Sequence, residues 1–203
     1  MVNPSNQSGR ALRYAGFFRR AWATFIDVGV LLTVVAAQEP FLRLSPLVAF
    51  ATYVLSNLLV VGYAVYFHGR WGQTLGKMAA KIKVTRLDGR QISLSQALLR
   101  SSVDIALSGV WTIGAGYTLL TWTGPEWSSL GYFERGSAFA ETLPLGFRAV
   151  DLIYDVWFWS ELVVMLTNGK RRALHDFIAG TVVVERGERP SVSRLVYKLR
   201  GRI

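Results

Sequence analysis

Long apolar runs separated by clusters of basic residues constrain this chain of 203 residues more than any other feature of its sequence. A helix of ~20 apolar residues is needed to cross a hydrocarbon core about 30 Å thick. Four runs approach that length, and we expect each to form a transmembrane helix: residues 15–37, 44–67, 98–122 and 143–167. The third helix should begin near Ser95, on the membrane surface. The sequence therefore predicts an all-α membrane protein, a single domain over residues 1–203 built on a four-helix transmembrane bundle.

The composition excludes several other classes of protein. Hydrophobic residues make up 51% of the chain, which is too many for an intrinsically disordered protein. Cysteine is absent, which excludes a disulfide framework and thiolate chemistry. The first apolar run carries Asp27 and is followed by no A-x-A-like site, so we do not expect a cleavable signal peptide.

The distribution of basic residues predicts the orientation in the membrane. Twenty Lys and Arg lie before or at the start of the first run, between the second and third runs or at the start of the third, or after the fourth, whereas the other two connections carry only Arg43 and Arg135. Basic residues stay on the cytoplasmic side. We therefore expect a multi-pass protein of the inner (cytoplasmic) membrane with both termini in the cytoplasm. The segment 68–97 and the tail 168–203 would be cytoplasmic, and 123–142 an irregular external loop.

The net charge of +10 has this topological explanation and no nucleic-acid-binding motif accompanies it. We expect no nucleic-acid partner. Instead, the basic residues are expected to contact the anionic headgroups of the bilayer.

The cytoplasmic segments also carry strand patterns. Residues 81–86 alternate charged and apolar side chains, and the turn residues Asp88 and Gly89 precede residues 91–93, which together indicate a β-hairpin. The β-branched run 180–185 could extend this hairpin to a sheet of three strands. A short surface helix is predicted over residues 71–81.

Two carboxylates lie near the middle of apolar runs, Asp27 in the first and Asp155 in the fourth. Ionisable groups are costly inside a bilayer, so each should be protonated, paired with a cation or placed in a hydrated cavity. One interpretation is a proton or cation site. The other is a set of structural charges that fixes how the helices pack, and the residues alone leave both open.

Helical spacing groups these carboxylates with basic residues. Arg20 and Asp27 share one helical stripe, and Arg148, Asp151 and Asp155 repeat at intervals of three and four. We expect both stripes to face the interior of the bundle. Asp27 and Asp155 would then share a polar cavity with Arg20 or Arg148, with Asp151 as a further candidate.

Three further residue patterns occur in or next to the spans. Glu161, also a candidate ion or proton site, is rotated by about 240° from Asp155 and need not face the same cavity. Arg100 and Asp104 are four residues apart and predict an ordinary ion pair at the membrane interface. Small residues at positions 108, 112 and 116 predict close packing with another helix of the same chain or of a second subunit.

Catalytic and metal-binding signatures are missing from the sequence. It contains no H-E-x-x-H, G-x-S-x-G or P-loop motif. His68 and His175 have no second ligand at metal spacing, and the pair His175–Asp176 is a weak indication alone. We therefore expect neither an enzyme nor a cofactor or metal site.

Three segments together resemble the RDD family of integral membrane proteins, named for an arginine and two aspartates: A-G-F-F-R-R-A-W-A-T-F-I-D, W-G-Q-T-L-G-K-M-A-A-K-I-K-V and R-A-L-H-D-F-I-A-G-T-V-V-V. Carried onto this sequence, the arginine is Arg20, with Arg19 as the neighbouring candidate, and the aspartates are Asp27 and Asp176. Lys81 departs from the family pattern, since many members have glycine there. The acidic fourth span is also more charged than the family pattern.

If residues 81–84 and 181–185 pair in one sheet, Asp176 should come close to the start of the first helix and to Arg19 or Arg20. Alternatively, Asp176 caps a local turn. The family resemblance implies a probable transporter, with cation/proton antiport proposed for some members.

The leading hypothesis is transport of an ion, proton or small solute through a buried Arg/Asp network, supported by Arg19, Arg100, Arg148, Asp104 and His175. The alternative is a non-transporting membrane subunit or scaffold that docks partner proteins. Because four spans form only a small bundle, we expect a homo-oligomer or a hetero-complex with another membrane protein.

Overall fold

Each of the four apolar runs contains one long helix in the computed structural model, which describes residues 12–186. The long helices are α1 (Phe17–Ala36), α3 (Pro46–Trp71), α6 (Ser102–Leu120) and α8 (Leu145–Thr167). Short helices lie between and after them: α2 (Glu39–Leu42), α4 (Leu75–Ala79), α5 (Leu94–Arg100), α7 (Tyr132–Thr142) and α9 (Leu174–Ile178). The strands are β1 (Ile82–Arg86) and β2 (Thr181–Glu185). The described chain is therefore mostly helical with a small sheet.

Among the described residues, two helices, α3 and α6, are long and apolar enough to cross a membrane. Helices α1 and α8 are of similar length, but α1 carries three charged residues and α8 carries four. Helix α6 packs against α3 and α8, whereas α1 packs mainly against α4. The membrane character of the fold thus rests on α3 and α6, and the four-helix transmembrane bundle stays a prediction.

Local signals explain where the helices begin and end. Ser45 accepts a hydrogen bond from the Val48 N–H at the start of α3, just before Pro46. The same helix ends at Gly72, whose φ of 69° is a left-handed conformation that favours glycine. Helix α5 begins with a capping box between Ser93 and Gln96. These signals are readable in the sequence.

The third apolar run departs from the expectation of one continuous helix starting near Ser95. It forms α5 and α6, which are separated at Ser101. The Ser101 N–H still bonds to carbonyls of α5, including that of Ala97 at 3.2 Å, so α5 is closed as a short separate helix. The next residue, Ser102, donates its hydroxyl to the Leu99 carbonyl of α5 at 2.8 Å, as serine side chains commonly do at helix ends.

The segment 123–142 was expected to be irregular but contains α7 and a short 3₁₀ turn, Trp127–Ser129. The Glu134 carboxylate accepts a hydrogen bond from the Gly131 N–H at 2.8 Å, which closes the first turn of α7. The Arg135 guanidinium forms an ion pair with Glu39 and anchors α7 to α2. A long-range ion pair therefore orders a segment whose three glycines and one proline predicted a loop.

The two strands pair antiparallel, with Val84 opposite Val183. In the expected hairpin, Gln91 makes only an isolated bridge to Thr85, so the third strand is absent from the described residues. The partner of β1 is instead β2, which lies about 100 residues later in the sequence. Val182 and Val183 are neighbours on β2 and both are fully buried, so both faces of the sheet are covered.

The small residues of α6 pack within the chain. A Cβ added at Gly114 would lie 2.5 Å from the Phe147 ring of α8, and one added at Gly116 would lie 2.9 Å from the Phe50 ring of α3. The glycines therefore let bulky rings from two helices approach the α6 backbone. The ends of the long helices next to β1 and β2 form the sheet end of the molecule, and their opposite ends form the far end.

Candidate functional site

A fully buried aspartate, Asp176, lies at the sheet end and collects donors from four parts of the chain. Arg20 Nη1 donates to its Oδ2 at 2.9 Å, and Arg100 Nη1 forms an ion pair with its Oδ1. The Thr181 hydroxyl donates at 3.2 Å and the Ala173 N–H at 3.0 Å. This group, called the Asp176 cluster, joins the start of α1, the end of α5, α9 and β2.

Strand pairing explains why these residues meet. Asp176 lies on α9, immediately before β2, and β2 is held beside β1 and bridged to Tyr14 ahead of α1. The first turn of α1 is thereby brought over α9. Of the two candidate arginines, Arg20 reaches Asp176, whereas Arg19 lies 3.5 Å from Glu185 and its side chain is 47% exposed. The proximity expected of Asp176 and the first helix is therefore observed.

A histidine and a glutamate extend the Asp176 cluster. The Glu161 carboxylate lies 2.5 Å from His175 Nδ1 and accepts the His175 backbone N–H at 2.8 Å. His175 Nε2 lies 2.6 Å from Arg100 Nη2, which can only donate. The imidazole therefore carries its proton on Nδ1, towards Glu161. Glu161 thus belongs to the sheet end of α8 and pairs with His175 there.

Burial and neighbouring charges set the protonation of these groups. Burial lowers the pKa of His175, and the Arg100 guanidinium lowers it further, so the imidazole is neutral near pH 7. Burial raises the pKa of Asp176, but the Arg100 and Arg20 guanidinium groups outweigh burial and hold that pKa well below its usual range. Asp176 is consequently a fixed negative charge.

Asp27 makes a second buried site, here called the Asp27 clamp. Its carboxylate accepts hydrogen bonds from the Tyr63 hydroxyl at 2.7 Å, the Thr74 hydroxyl at 2.5 Å and the Gly76 N–H at 2.7 Å. The clamp fastens α4 to the middle of α1. The expected sharing of one polar site by Arg20 and Asp27 is wrong, because Arg20 turns to Asp176 while Asp27 turns to α4.

Glycine is required at position 76 of the clamp. A Cβ there would lie 2.0 Å from the Ala23 carbonyl oxygen and 2.8 Å from Asp27 Cγ. Thr74 has two roles, because its hydroxyl also caps α4 by accepting from the Lys77 N–H. Two residues of the G-Q-T-L-G-K segment, Thr74 and Gly76, therefore bind the Asp27 carboxylate of α1. The sequence motif alone did not indicate this function.

Lys77 was not among the sequence candidates, although the same motif contains it. Burial and the Arg100 charge lower the pKa of Lys77 to about 8, against the opposing influence of Asp27 and Asp176. Its ammonium thus lies within the electrostatic reach of both the Asp27 clamp and the Asp176 cluster. Among the described residues, buried Arg20 Nε and Nη2 and His68 Nε2 have no hydrogen-bond partner in this same region.

The acidic stripe of α8 does not face the interior of the described chain. Asp151 and Asp155 are exposed, and Arg148 is exposed with its guanidinium bonded to the backbone carbonyls of Leu143 and Glu141. The expectation of a shared cavity with Asp27 is therefore wrong for this chain alone. The helix turns its other side to α6, where Phe147 packs against Gly114.

The expected ion pair between Arg100 and Asp104 is also wrong. Arg100 points to Asp176 and His175, while the Asp104 carboxylate accepts from Trp157 Nε1 of α8 at 3.1 Å. The break between α5 and α6 allows this, because residues on the two helices no longer share one helical stripe.

Within residues 12–186, no three histidine or carboxylate side chains converge as metal ligands would. The Asp176 cluster is built from paired charges at the sheet end, and the Asp27 clamp is built from hydrogen bonds to one carboxylate.

Comparison with known proteins gives one match. The model of the RDD family matches residues 14–180, which include α1, the α4 segment and α9. Neither the curated proteins nor the solved structures contain a match. Because the match covers most of the sequence and includes both buried aspartates, the chain belongs to the RDD family of membrane proteins.

Proposed function

We propose that this protein exchanges a proton for a small cation across the membrane, and that Lys77 and Asp27 are the exchanging pair. The observation that carries the proposal is the place of Lys77, a partly buried lysine that directly follows Gly76 of the Asp27 clamp and has a pKa of about 8. A group with that pKa gains and loses its proton near physiological pH, as a proton-coupled site requires.

The two carboxylates would have different tasks. Asp176 is neutralised by Arg20 and Arg100, so it supports the site as a fixed charge. Among the described residues, Asp27 is bound by three neutral donors and is paired with no arginine. When Lys77 loses its proton, the charge beside Asp27 falls by one. A monovalent cation could then be held there, and protonation of Lys77 would release it.

The proposed topology places Asp27 near the middle of α1 and Lys77 on α4, which approaches Asp27 from the cytoplasmic side. Helices α1, α3, α6 and α8 would cross the membrane, with the sheet and both termini in the cytoplasm, as the positive-inside distribution predicts. The basic residues within 1–11 and 187–203 that contribute to this prediction lie outside the described residues. One charged residue of α1 and one of α8 have partners at the sheet end, since Arg20 binds Asp176 and Glu161 binds His175.

A second candidate function is a non-transporting membrane subunit. The exposed carboxylates Asp151 and Asp155 favour it, because charges on an outward face of a membrane helix are costly unless another chain covers them. The same exposure supports the expected homo-oligomer or hetero-complex. In this case the Asp176 cluster and the Asp27 clamp would be structural.

Proteoliposomes containing a pH-sensitive dye distinguish the two functions. A pulse of sodium or potassium should drive proton movement with the wild-type protein, fastest near pH 8. Lys77→Met should abolish that movement. Lys81→Met is the matched control, because Lys81 is exposed and lies four residues further along the same segment.

Folding of each variant is checked by its elution from a sizing column and its melting temperature in detergent. Wild-type rates in folded Lys77→Met would refute the role of Lys77. Absence of cation-driven proton movement in the wild type would refute the exchange, and the subunit function would then be preferred.

A further inference from the structure

A cavity lies at the far end of the helices, away from the charged sites. Its volume is about 450 Å³, and it is formed between α3, α6 and α7 with Trp127 beside them. Ligand pockets in proteins commonly have volumes of roughly 300–1,000 Å³. We call it the far-end pocket, lined among others by Tyr53, Trp111, Ala115, Trp127, Arg135 and Phe139.

The walls of the far-end pocket are suited to an apolar occupant. Trp111 and Phe139 meet edge to face with ring centroids 6.3 Å apart. Two small side chains, Ala49 on α3 and Ala115 on α6, also line the pocket. Aromatic and aliphatic walls gain free energy when they exclude water, and offer water few hydrogen bonds.

Two polar side chains of the wall, Arg135 and Trp127, are already satisfied within the protein. Arg135 forms an ion pair with Glu39 and donates to the Leu130 carbonyl at 2.7 Å. Trp127 Nε1 donates to the Leu42 carbonyl at 2.7 Å. The Arg135 charge is therefore neutralised, and the described residues that line the pocket offer no other cation to an anionic ligand. What the pocket offers is apolar surface.

The position of the far-end pocket indicates where its occupant comes from. Ala49 lies in the first turn of α3 and Leu119 in the last turn of α6, the two helices that are apolar enough to cross a membrane. Two aromatic residues that line the pocket are exposed, Tyr132 by 57% and Phe133 by 86%. Aromatic side chains gather at membrane–water interfaces. The pocket is thus next to lipid tails.

We infer that the far-end pocket binds an acyl chain of a membrane lipid, drawn from the leaflet on the side opposite the sheet. This site is separate from the proposed exchange pair, since it lies at the other end of α3 and α6. A bound chain would fill the space between α3, α6 and α7 and hold α7 against the membrane helices.

Gly136 provides a way to block the pocket. It lines the cavity on α7, and a Cβ added there would meet nothing within 4 Å, so Gly136→Leu can occupy the space without a clash at its first atom. Gly109 is the matched control, because it is also helical and open but does not line the pocket. Ala115→Val is a milder block from the opposite wall.

The experiment measures lipid retention. Each variant is delipidated in detergent, titrated with phosphatidylethanolamine of defined chain length, and analysed by native mass spectrometry. The melting temperature is measured with and without the lipid. We expect one lipid to be retained by the wild type and by Gly109→Leu, with a rise in melting temperature because the lipid binds the folded state.

Gly136→Leu should reduce the retained lipid at least tenfold and remove the rise in melting temperature. Ala115→Val should reduce both measurements partially. Equal retention by Gly136→Leu and Gly109→Leu would overturn the inference, as would a wild type that retains no lipid. If Gly136→Leu does not fold, an unchanged affinity in Ala115→Val overturns it.

Discussion

Replacing Gly76 by alanine tests whether the Asp27 clamp holds α4 on α1. In an ordinary helix, Gly→Ala stabilises by roughly 0.5–1 kcal/mol because the unfolded chain loses conformational freedom. Gly76 should behave in the opposite way, because the new Cβ would lie 2.0 Å from the Ala23 carbonyl oxygen. Ordinary contact begins at 3.4 Å. Helix α4 must therefore move away from α1 by about 1.4 Å, the difference between these two distances.

That displacement breaks the shortest contacts of the clamp. The hydrogen bonds from the Gly76 N–H and the Thr74 hydroxyl to Asp27 are 2.7 and 2.5 Å long and would stretch well beyond bonding distance. Hydrogen bonds to a charged group contribute about 1.5–3 kcal/mol each. Losing both outweighs the helical gain, so we expect Gly76→Ala to lower the free energy of unfolding by about 2–5 kcal/mol.

Thermal unfolding in mild detergent, followed by circular dichroism, measures this change. Gly62→Ala is the control, because Gly62 lies within α3 and an added Cβ meets nothing within 4 Å. The control should melt at or above the wild-type temperature, and Gly76→Ala should melt well below it. Equal melting temperatures for the two variants would refute the argument that close approach at Gly76 maintains the clamp.

Two further predictions concern the charges at the sheet end. Arg100→Met should lower the free energy of unfolding by about 3–5 kcal/mol because it removes one partner of a buried pair. Arg13→Met removes a largely exposed guanidinium from Glu185 and should lower the free energy of unfolding by under about 1 kcal/mol. Adding Asp176→Asn to Arg100→Met should cost less than the two single changes together, and additive melting shifts would contradict their direct coupling. Lys77 should make stability rise with pH: its pKa is about 8 in the folded protein against 10.5 ordinarily, so the unfolded chain binds more protons between these values. Lys77→Met should therefore melt at a higher temperature than the wild type at pH 7, and the difference between the two melting temperatures should narrow between pH 8 and 10.5. A difference that does not depend on pH would refute the lowered pKa.

Much of the local structure was readable in the sequence. The apolar runs predicted all four long helices, because a period of 3.6 residues and the length of a run are local properties. Ser45 before Pro46, and Ser93 with Gln96, are capping signals that act within one helical turn. The strand pattern of residues 81–86 predicted β1, and the pairing with residues 181–185 was anticipated from their β-branched composition.

The candidate site was predicted only in part. Arg20, Asp27 and Asp176 were identified and all three take part in buried contacts. The sequence does not identify Lys77 and Thr74 as site residues, although both belong to the G-Q-T-L-G-K motif. A side chain's environment depends on which element packs over it, and a motif indicates its residues without indicating their partners.

The sequence by itself determined which segments become helices and strands, since capping, periodicity and apolar length act over a few residues. Only the tertiary structure decided the partners of the charges. Arg20 and Asp27 share a helical stripe, yet Arg20 binds Asp176 on α9 while Asp27 binds α4. Spacing fixes the face of a helix on which a charge lies, but the path of the distant chain fixes what meets that face. The outward position of Asp155 on α8 has the same cause, because α6 packs on the other side of that helix.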